Sequence, residues 1–265
     1  MSHAPAPGTD DSRSPAFRWQ AFALHLALSL VACGALALLV RHWYPGYLFT
    51  IDGGWQTLRI TLVAGLLIGP PLTLLVANPR KARHLLRLDF SLIALAQTLV
   101  LAGGAWVAWE QRPYAVIWVD GTFYSRPASA FHDAPAAREK IAQITDQRPA
   151  WITIDLPADP YARDAYIRKA MQQNSSVEFQ PELYRKFSAS SSPVVAAARK
   201  LAARRLPQHT VAALAATGIA PEQLNEGRYL LVPAKSRYGR CTLIINSDNT
   251  VMHTIFTSTT GGSNK

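Results

Sequence analysis

Residues 21–40 read AFALHLALSLVACGALALLV and contain no Asp, Glu, Lys or Arg. A helix rises about 1.5 Å per residue, so a stretch of this length matches the roughly 30 Å hydrocarbon core of a bilayer. The stretch therefore predicts a first transmembrane helix. A cleaved signal peptide is the alternative, because Ala35, Leu36 and Ala37 fit the small-residue pattern of a cleavage site. The apolar run continues beyond that site, which favours the transmembrane helix.

Two further apolar runs, at residues 58–77 and 90–109, predict a second and a third span, so residues 18–110 form a three-helix transmembrane domain. The whole chain of 265 residues is 49% apolar and 17% charged, with a formal net charge of +10. This composition excludes a wholly disordered or collagen-like protein. The polar residues 1–17 predict a disordered tail, and the aromatic-rich residues 41–56 predict a loop at the membrane surface.

The second span contains Gly69, Pro70 and Pro71 near its centre. Two prolines remove two backbone donors, which predicts a kink or break at which Thr73 could satisfy a freed carbonyl. Gly65 and Gly69 stand four residues apart, a spacing that permits close helix approach. The simpler alternative to a moving hinge is a kinked, well-packed helix. In the third span, the amide of Gln97 is expected to form hydrogen bonds across the helices.

The loop at residues 78–87 determines the predicted orientation. Short loops rich in Lys and Arg stay in the cytoplasm, which also places the N-terminal tail there and residues 111–265 in the periplasm or outside the cell. Asp89, just before the third apolar run, is expected to be the N-cap of its helix. The topology-determining residues are Arg80, Lys81, Arg83 and Arg87.

Residues 111–265 predict an α+β domain with a small antiparallel sheet. Asp120 and Gly121 form the expected turn of a hairpin, and Asp159 with Pro160 matches a capped helix start. The expected strands are residues 114–119, 122–125, 151–156, 229–233, 242–245 and 251–256, and the expected helices are residues 160–172, 193–206, 210–217 and 221–225.

Motifs of catalysis are missing from the sequence: there is no HExxH, CxxC, GxSxG or phosphate-binding GxxxxGK[ST] pattern. We therefore expect a protein that is not an enzyme and has no cofactor or metal. Cys33 and Cys241 are expected to lie at different depths and to form no disulfide. The basic residues Arg199, Lys200, Arg204 and Arg205 could bind anionic lipid headgroups or an acidic protein face, or simply face solvent. Nucleic-acid binding is not expected, since aromatic residues do not alternate with the basic ones.

The order of three spans followed by a modest extracytoplasmic domain resembles the type IV pilin accessory proteins of the TfpX/TfpZ family. The likeness covers about residues 18–120 and is looser afterwards. The residues that carry it are Gly53-Gly54-Trp55, Gly69-Pro70-Pro71-Leu72-Thr73-Leu74, Asn78-Pro79, Leu88-Asp89-Phe90, Gln97 and Arg112-Pro113.

The resemblance implies a bacterial inner-membrane protein that supports assembly of a type IV pilin, major or minor, without being a pilus subunit. The implied partners are the pilin, the lipid bilayer and, in addition, the pilus assembly platform. A membrane-anchored periplasmic ligand-binding or sensor module is the alternative, and it predicts a pocket with convergent polar groups in the last 155 residues, residues 111–265. The expected partner-binding residues are Trp55, Gly65, Gly69, Pro70, Pro71, Thr73, Gln97 and Arg112.

Overall fold

The computed structural model describes residues 13–173, 175–203, 208–219, 223–224, 226 and 228–256. The chain divides into two units. The first unit contains the residues up to Trp43 together with Gly54–Trp109, and the second contains Tyr44–Gly53 together with the chain from Glu110 onward.

The first unit consists of three long helices, α1 (Arg13–Trp43), α3 (Gly54–Val76) and α4 (Arg83–Glu110), the last of which ends one residue into the second unit. Among the described residues, these three are long and apolar enough to cross a membrane. Large apolar side chains such as Leu38 and Leu75 are exposed on them, each at 74%. Such surfaces are unfavourable in water and favourable in lipid, which agrees with the three predicted spans.

Two helix starts differ from the prediction. Helix α1 begins at Arg13, so residues 13–17 are helical although they were expected in the disordered tail, while residues 1–12 lie outside the described part. Helix α4 begins at Arg83, so Asp89 lies inside the helix and the prediction that it is the N-cap is wrong. The carboxylate of Asp89 instead pairs with Lys81 at 2.8 Å. Basic residues that flank a span can extend its helix, because their charged ends reach the interface.

The second unit contains a seven-stranded sheet. Its strands are β1 (Pro113–Val119), β2 (Thr122–Pro127), β3 (Ala150–Ile154), β4 (Tyr184–Lys186), β5 (Tyr229–Lys235), β6 (Arg240–Asn246) and β7 (Val251–Phe256). Their order across the sheet is β4-β3-β1-β2-β5-β6-β7. The expected hairpin is confirmed: Asp120 and Gly121 connect β1 to β2 with φ angles of 45° and 84°, as a type I′ turn requires.

The sheet is mixed, which corrects the prediction of an antiparallel sheet. Strand β1 pairs in parallel with β3, and β2 pairs in parallel with β5. Parallel neighbours need a crossover connection, and such a long-range pairing leaves no mark in a local sequence pattern. The helices of this unit are α2 (Leu48–Ile51), α5 (Pro135–Ile144), α6 (Pro160–Gln172), α7 (Ser192–Ala202) and α8 (Gln208–Thr217).

Strand β1 is buried on both faces. Val116 and Trp118 pack in one apolar cluster, to which α7 contributes Val194. Ala115 and Ile117 pack in a second cluster, to which α5 contributes Ile141, since alternate residues of a strand point to opposite faces. Helix α6 begins as predicted, with the side chain of Asp159 accepting a hydrogen bond from the backbone N–H of Ala162 at 2.8 Å. The predicted helix at residues 221–225 falls largely outside the described residues.

The segment Tyr44–Gly53 belongs to the second unit, although it was expected to form a loop at the membrane surface. Tyr47, Leu48 and Ile51 are buried in the same apolar cluster as strand β1. The backbone N–H of Tyr238 also donates a hydrogen bond to the carbonyl of Ile51 at 3.0 Å. Aromatic and aliphatic side chains are stabilised in a protein core as well as at an interface, so composition alone did not distinguish the two environments.

Candidate functional site

A polar cluster in the first unit joins all three long helices. It consists of the side chains of His25 and Ser29 from α1, Thr73 from α3 and Gln97 from α4. Ser29, Thr73 and Gln97 are each less than 7% exposed. Polar groups in apolar surroundings are unfavourable unless they form hydrogen bonds, so the arrangement of these bonds decides whether the cluster stabilises the unit.

Gln97 is the centre of this cluster. Its Nε2 donates to the hydroxyl of Ser29 at 2.8 Å and to the backbone carbonyl of Gly65 at 3.1 Å. Its Oε1 lies 2.5 Å from Nε2 of His25, and because an amide oxygen only accepts, the imidazole donates this bond. Gln97 therefore bonds to both other helices, which is the interhelical bonding that the sequence predicted.

The second nitrogen of His25 connects the cluster to Thr73. Nδ1 of His25 lies 2.5 Å from the Thr73 hydroxyl, and the same hydroxyl lies 3.2 Å from the carbonyl of Gly69. The Ser29 hydroxyl donates to the backbone carbonyl of His25 at 2.8 Å. Each polar side chain thus has a partner, as polar groups in a lipid-embedded bundle require.

Two glycines of α3 provide the space for this cluster. A Cβ placed on Gly69 would overlap the side-chain carbonyl of Gln97 and lie 2.9 Å from Nε2 of His25. A Cβ on Gly65 would lie 3.0 Å from Sγ of Cys33 and 3.3 Å from Leu101. The predicted small-residue spacing therefore corresponds to close contact of α3 with both α1 and α4.

Helix α3 remains α-helical through Pro70 and Pro71, so the predicted break does not occur. Pro70 is buried and Pro71 is exposed. Pro70 and Pro71 leave the carbonyls of Leu66 and Leu67 without their helical donors. The hydroxyl of Thr73 instead lies 3.2 Å from the carbonyl of Gly69, so its contact is not with a carbonyl that the prolines free. The two prolines thus lie beside the polar cluster within one continuous helix.

A groove of about 430 Å³ opens next to the cluster, on the first unit. His25 and Thr73 form part of its wall, and most of the remaining wall is apolar. This size lies within the range of ordinary binding pockets. The residues that line it are Phe17, Gln20, Ala21, Leu24, His25, Leu28, Thr73, Phe90 and Ala94.

Trp55 and Arg112 are not among the residues that line this groove. Trp55 is 46% exposed at the start of α3, and the guanidinium carbon of Arg59 stands 4.8 Å from its ring centroid. Arg112 belongs to the second unit, where burial lowers the pKa of its guanidinium. The structure therefore brings together Gly65, Gly69, Thr73 and Gln97, with Pro70 adjacent to them. Trp55 lies elsewhere in the same unit, at the start of α3.

The predicted topology residues lie around the start of α4. Arg80 and Lys81 precede this helix, whereas Arg83 and Arg87 lie in its first turns. At the same end of the unit, Nε of Arg18 donates to the carbonyl of Ala77 at 2.8 Å. Of the basic helix, Arg199 and Lys200 lie in the last turn of α7, while Arg204 and Arg205 fall outside the described residues.

His25 and Ser29 are the two members of the cluster that sequence reasoning missed. The sequence does contain a pattern that could have identified them, because they are two of the few polar residues in the apolar stretch 21–40. An ionisable residue inside a span usually faces a partner rather than lipid. Within the described ranges, no three His, Cys, Asp or Glu side chains come together to hold a metal ion.

Comparison with known proteins identifies relatives among fimbrial assembly proteins of Dichelobacter nodosus. The proteins of serogroup I and serogroup E1 are 31% and 32% identical over 96 residues, which cover 36% of this chain and 37% of each relative. The protein of serogroups C1 and C2 is 31% identical over 96 residues, which cover 73% of that relative. The chain thus spans just over a third of the length of the serogroup I and serogroup E1 relatives.

No family model and no solved structure matches the chain. The assignment therefore comes from the curated relatives. Over the 96 matched residues, identity exceeds 30% with a relative of which nearly three quarters is covered. The chain belongs to the family of these fimbrial assembly proteins.

Proposed function

We propose that this protein supports assembly of type IV pili as an inner-membrane accessory protein of the TfpX/TfpZ type, without being a pilus subunit or an enzyme. Two observations support the proposal. The relatives carry the name fimbrial assembly protein, and three membrane-length helices precede a mixed-sheet domain in the chain.

The proposal depends mainly on the groove of the first unit, because its mainly apolar lining suits a helix that lies in the bilayer. We assign to it the apolar helix of a pilin, major or minor. Phe17, Leu24 and Leu28 of α1 would contact that helix from one side, and Phe90 of α4 from another. The pilus assembly platform is a further proposed partner, and no nucleic acid takes part.

The polar cluster would fix the shape of this groove. His25 and Thr73 form part of the groove wall and contact each other. Gln97, which does not line the groove, accepts a hydrogen bond from His25. Helices associate in lipid through packing and interhelical hydrogen bonds rather than through expulsion of water. Binding in the groove would therefore be moderate, which suits a subunit that must be released for polymerisation.

The proposed orientation follows from charge. Arg18, Arg80, Lys81, Arg83 and Arg87 lie in or beside the N-terminal part of α1 and the start of α4. The positive-inside rule places these residues in the cytoplasm and therefore the second unit in the periplasm.

Site-specific photo-crosslinking in native membranes tests the groove. A photoreactive residue replaces Leu24, which lines the groove, and in a matched variant it replaces Leu75, which is exposed and does not line it. We expect a covalent product with a pilin from position 24 and at least fivefold less from position 75. Equal yields from the two positions, or no pilin from position 24 with the protein inserted and abundant, would contradict the proposal.

The ligand-binding alternative is favoured by one specific observation. The second unit contains a cavity of about 490 Å³ beside Asp52, with polar groups that converge on it. A ligand there does not compete with the groove proposal, since all residues that line the cavity belong to the second unit.

A further inference from the structure

The cavity beside Asp52 opens where the parallel pairing of β2 with β5 ends. Strands β2 and β5 pair through only two residue pairs, Phe123 with Ala234 and Tyr124 with Lys235. Beyond this point the chain continues through Ser125 on one side and Ser236 on the other, and both line the cavity. A cavity on which a few polar groups converge beside apolar surface is the usual form of a ligand site.

Asp52 forms the inner wall of this cavity. One of its carboxylate oxygens accepts a hydrogen bond from the Ser125 hydroxyl at 2.6 Å, and the other accepts one from the Ser236 hydroxyl. The carboxylate is buried, and its two hydroxyl partners come from strand β2 and from the residue that follows β5. Asp52 therefore connects β2 to the residue that follows β5.

Cations surround the opening. Lys235 and Arg237 are exposed and line it, and Nη2 of Arg237 donates to Oε1 of Gln111 at 2.5 Å. Arg126 also lines the cavity, but it is neutralised by Glu178 through two hydrogen bonds, one of them at 2.7 Å. Lys235 and Arg237 therefore outweigh the single charge of an ionised Asp52, which leaves one net positive charge.

The opposite wall is apolar. Phe179, Pro127 and Ala130 line the cavity together with Tyr124. Phe179 and Ala130 are each half-buried, so part of their apolar surface faces the cavity. A ligand that covers this wall has an apolar or aromatic body, because burial of such surface contributes about 25 cal/mol per Å².

The geometry points to a binding site for a monocarboxylate that carries an apolar or aromatic body, with its carboxylate at Lys235 and Arg237. One net positive charge balances a single carboxylate, whereas a doubly charged phosphate would leave one negative charge unbalanced. The carboxylate could belong to a small molecule or to the end of a peptide chain. The proposal does not depend on the pilin groove, and the experiment below does not involve the groove.

Ligand-observed ¹⁹F NMR on the detergent-purified full chain tests the site. The probe is N-acetyl-4-fluoro-phenylalanine, and its carboxamide, which lacks only the charge, is the matched compound. We expect saturable line broadening for the carboxylate and at least fivefold weaker binding for the carboxamide. An N-acetylated tripeptide that ends in the same residue distinguishes a peptide end from a small molecule, and tighter binding of the tripeptide assigns the site to peptide ends.

Two variants locate the binding. Lys235→Gln removes a cation from the cavity, whereas Lys186→Gln removes an exposed cation elsewhere in the same sheet. We expect at least fivefold weaker binding in the first variant and no change in the second. Ala130→Phe narrows the cavity without a change of charge and should also weaken binding.

Equal binding of the carboxylate and the carboxamide would overturn the proposal. So would equal losses in Lys235→Gln and Lys186→Gln, because binding would then follow overall charge. Complete displacement of the probe by an equal concentration of inorganic phosphate would assign the site to phosphate instead.

Discussion

At the scale of single residues, Gly69 is the position where the polar cluster has least space. Gly69→Ala places a methyl group on the side-chain carbonyl of Gln97, so the interhelical hydrogen bonds must shift. We expect the first unit to lose about 1–3 kcal/mol of stability, the usual cost of overpacking. Thermal unfolding in detergent measures this loss. Gly34→Ala is the control, because a Cβ at this position of α1 meets nothing within 4 Å, and it should not destabilise the unit.

Asp52 is the residue at which pH should affect the second unit. Burial raises the pKa of its carboxyl, partly opposed by the hydroxyls of Ser125 and Ser236 and by nearby arginines. A raised pKa means that the folded state holds the proton more tightly than the unfolded state. The stabilisation that the folded state gains from proton binding at Asp52 is therefore complete below the ordinary carboxyl pKa of about 4. It is lost as the pH rises through the raised pKa.

Asp52→Asn keeps the size of the side chain and removes this titration. We expect the melting temperature of the variant to vary less between pH 4 and pH 7 than that of the unaltered protein. The melting temperature followed by intrinsic fluorescence across this range is the measurement. If the melting temperature of the variant varies with pH as much as that of the unaltered protein, Asp52 is not the cause of the pH dependence.

At the scale of elements, α3 stays helical across Pro70 and Pro71 beside the polar cluster. Replacing both residues with alanine restores two backbone donors to the helix and changes its local geometry. We expect fewer pili with normal insertion of the protein, measured by electron microscopy and by membrane fractionation. Pro79→Ala, outside the helices, is the control and should leave piliation intact. Normal pili in the double variant would contradict a role of Pro70 and Pro71 in the proposed function.

Elements that begin or end at a characteristic turn or capping residue were predicted correctly. The hairpin of β1 and β2 follows from Asp120 and Gly121, whose positive φ angles suit the turn. The start of α6 follows from Asp159, whose side chain caps the helix. The start of α4 was predicted too late, because the apolar pattern that predicted it begins after the basic residues that form its first turns.

At the scale of the whole molecule, the basic residues around the start of α4 should set the orientation. We expect replacement of Arg80, Lys81, Arg83 and Arg87 by Gln to produce a mixed orientation, because the charge bias between the two sides is lost. An alkaline phosphatase fused to the C-terminus, active only outside the cytoplasm, reports this as at least a twofold loss of activity. Arg41→Gln with Arg59→Gln removes two other flanking charges and should not lower the activity. An equal loss in this control would contradict the prediction.

The candidate site was predicted in part. Gly65, Gly69, Thr73 and Gln97 were identified from the sequence, because small and polar residues inside an apolar span have few roles other than helix contact. His25 and Ser29 were missed as members, since their pairing with Gln97 crosses about seventy residues of chain. A single sequence does not contain the rotation of one helix about another, which decides that pairing.

Apolar runs, turn residues and capping residues were enough to predict three membrane-length helices, a following domain of strands and helices, and the ends of several of these elements. These features depend on local composition, periodicity and backbone preference, which act over a few residues. The parallel pairing of β1 with β3 and of β2 with β5, the packing of Tyr47, Leu48 and Ile51 in the second unit and the cavity at Asp52 became visible in the folded chain alone. Those features depend on contacts between distant segments, whose free energy comes from burial and hydrogen bonding that exist only after the chain has folded.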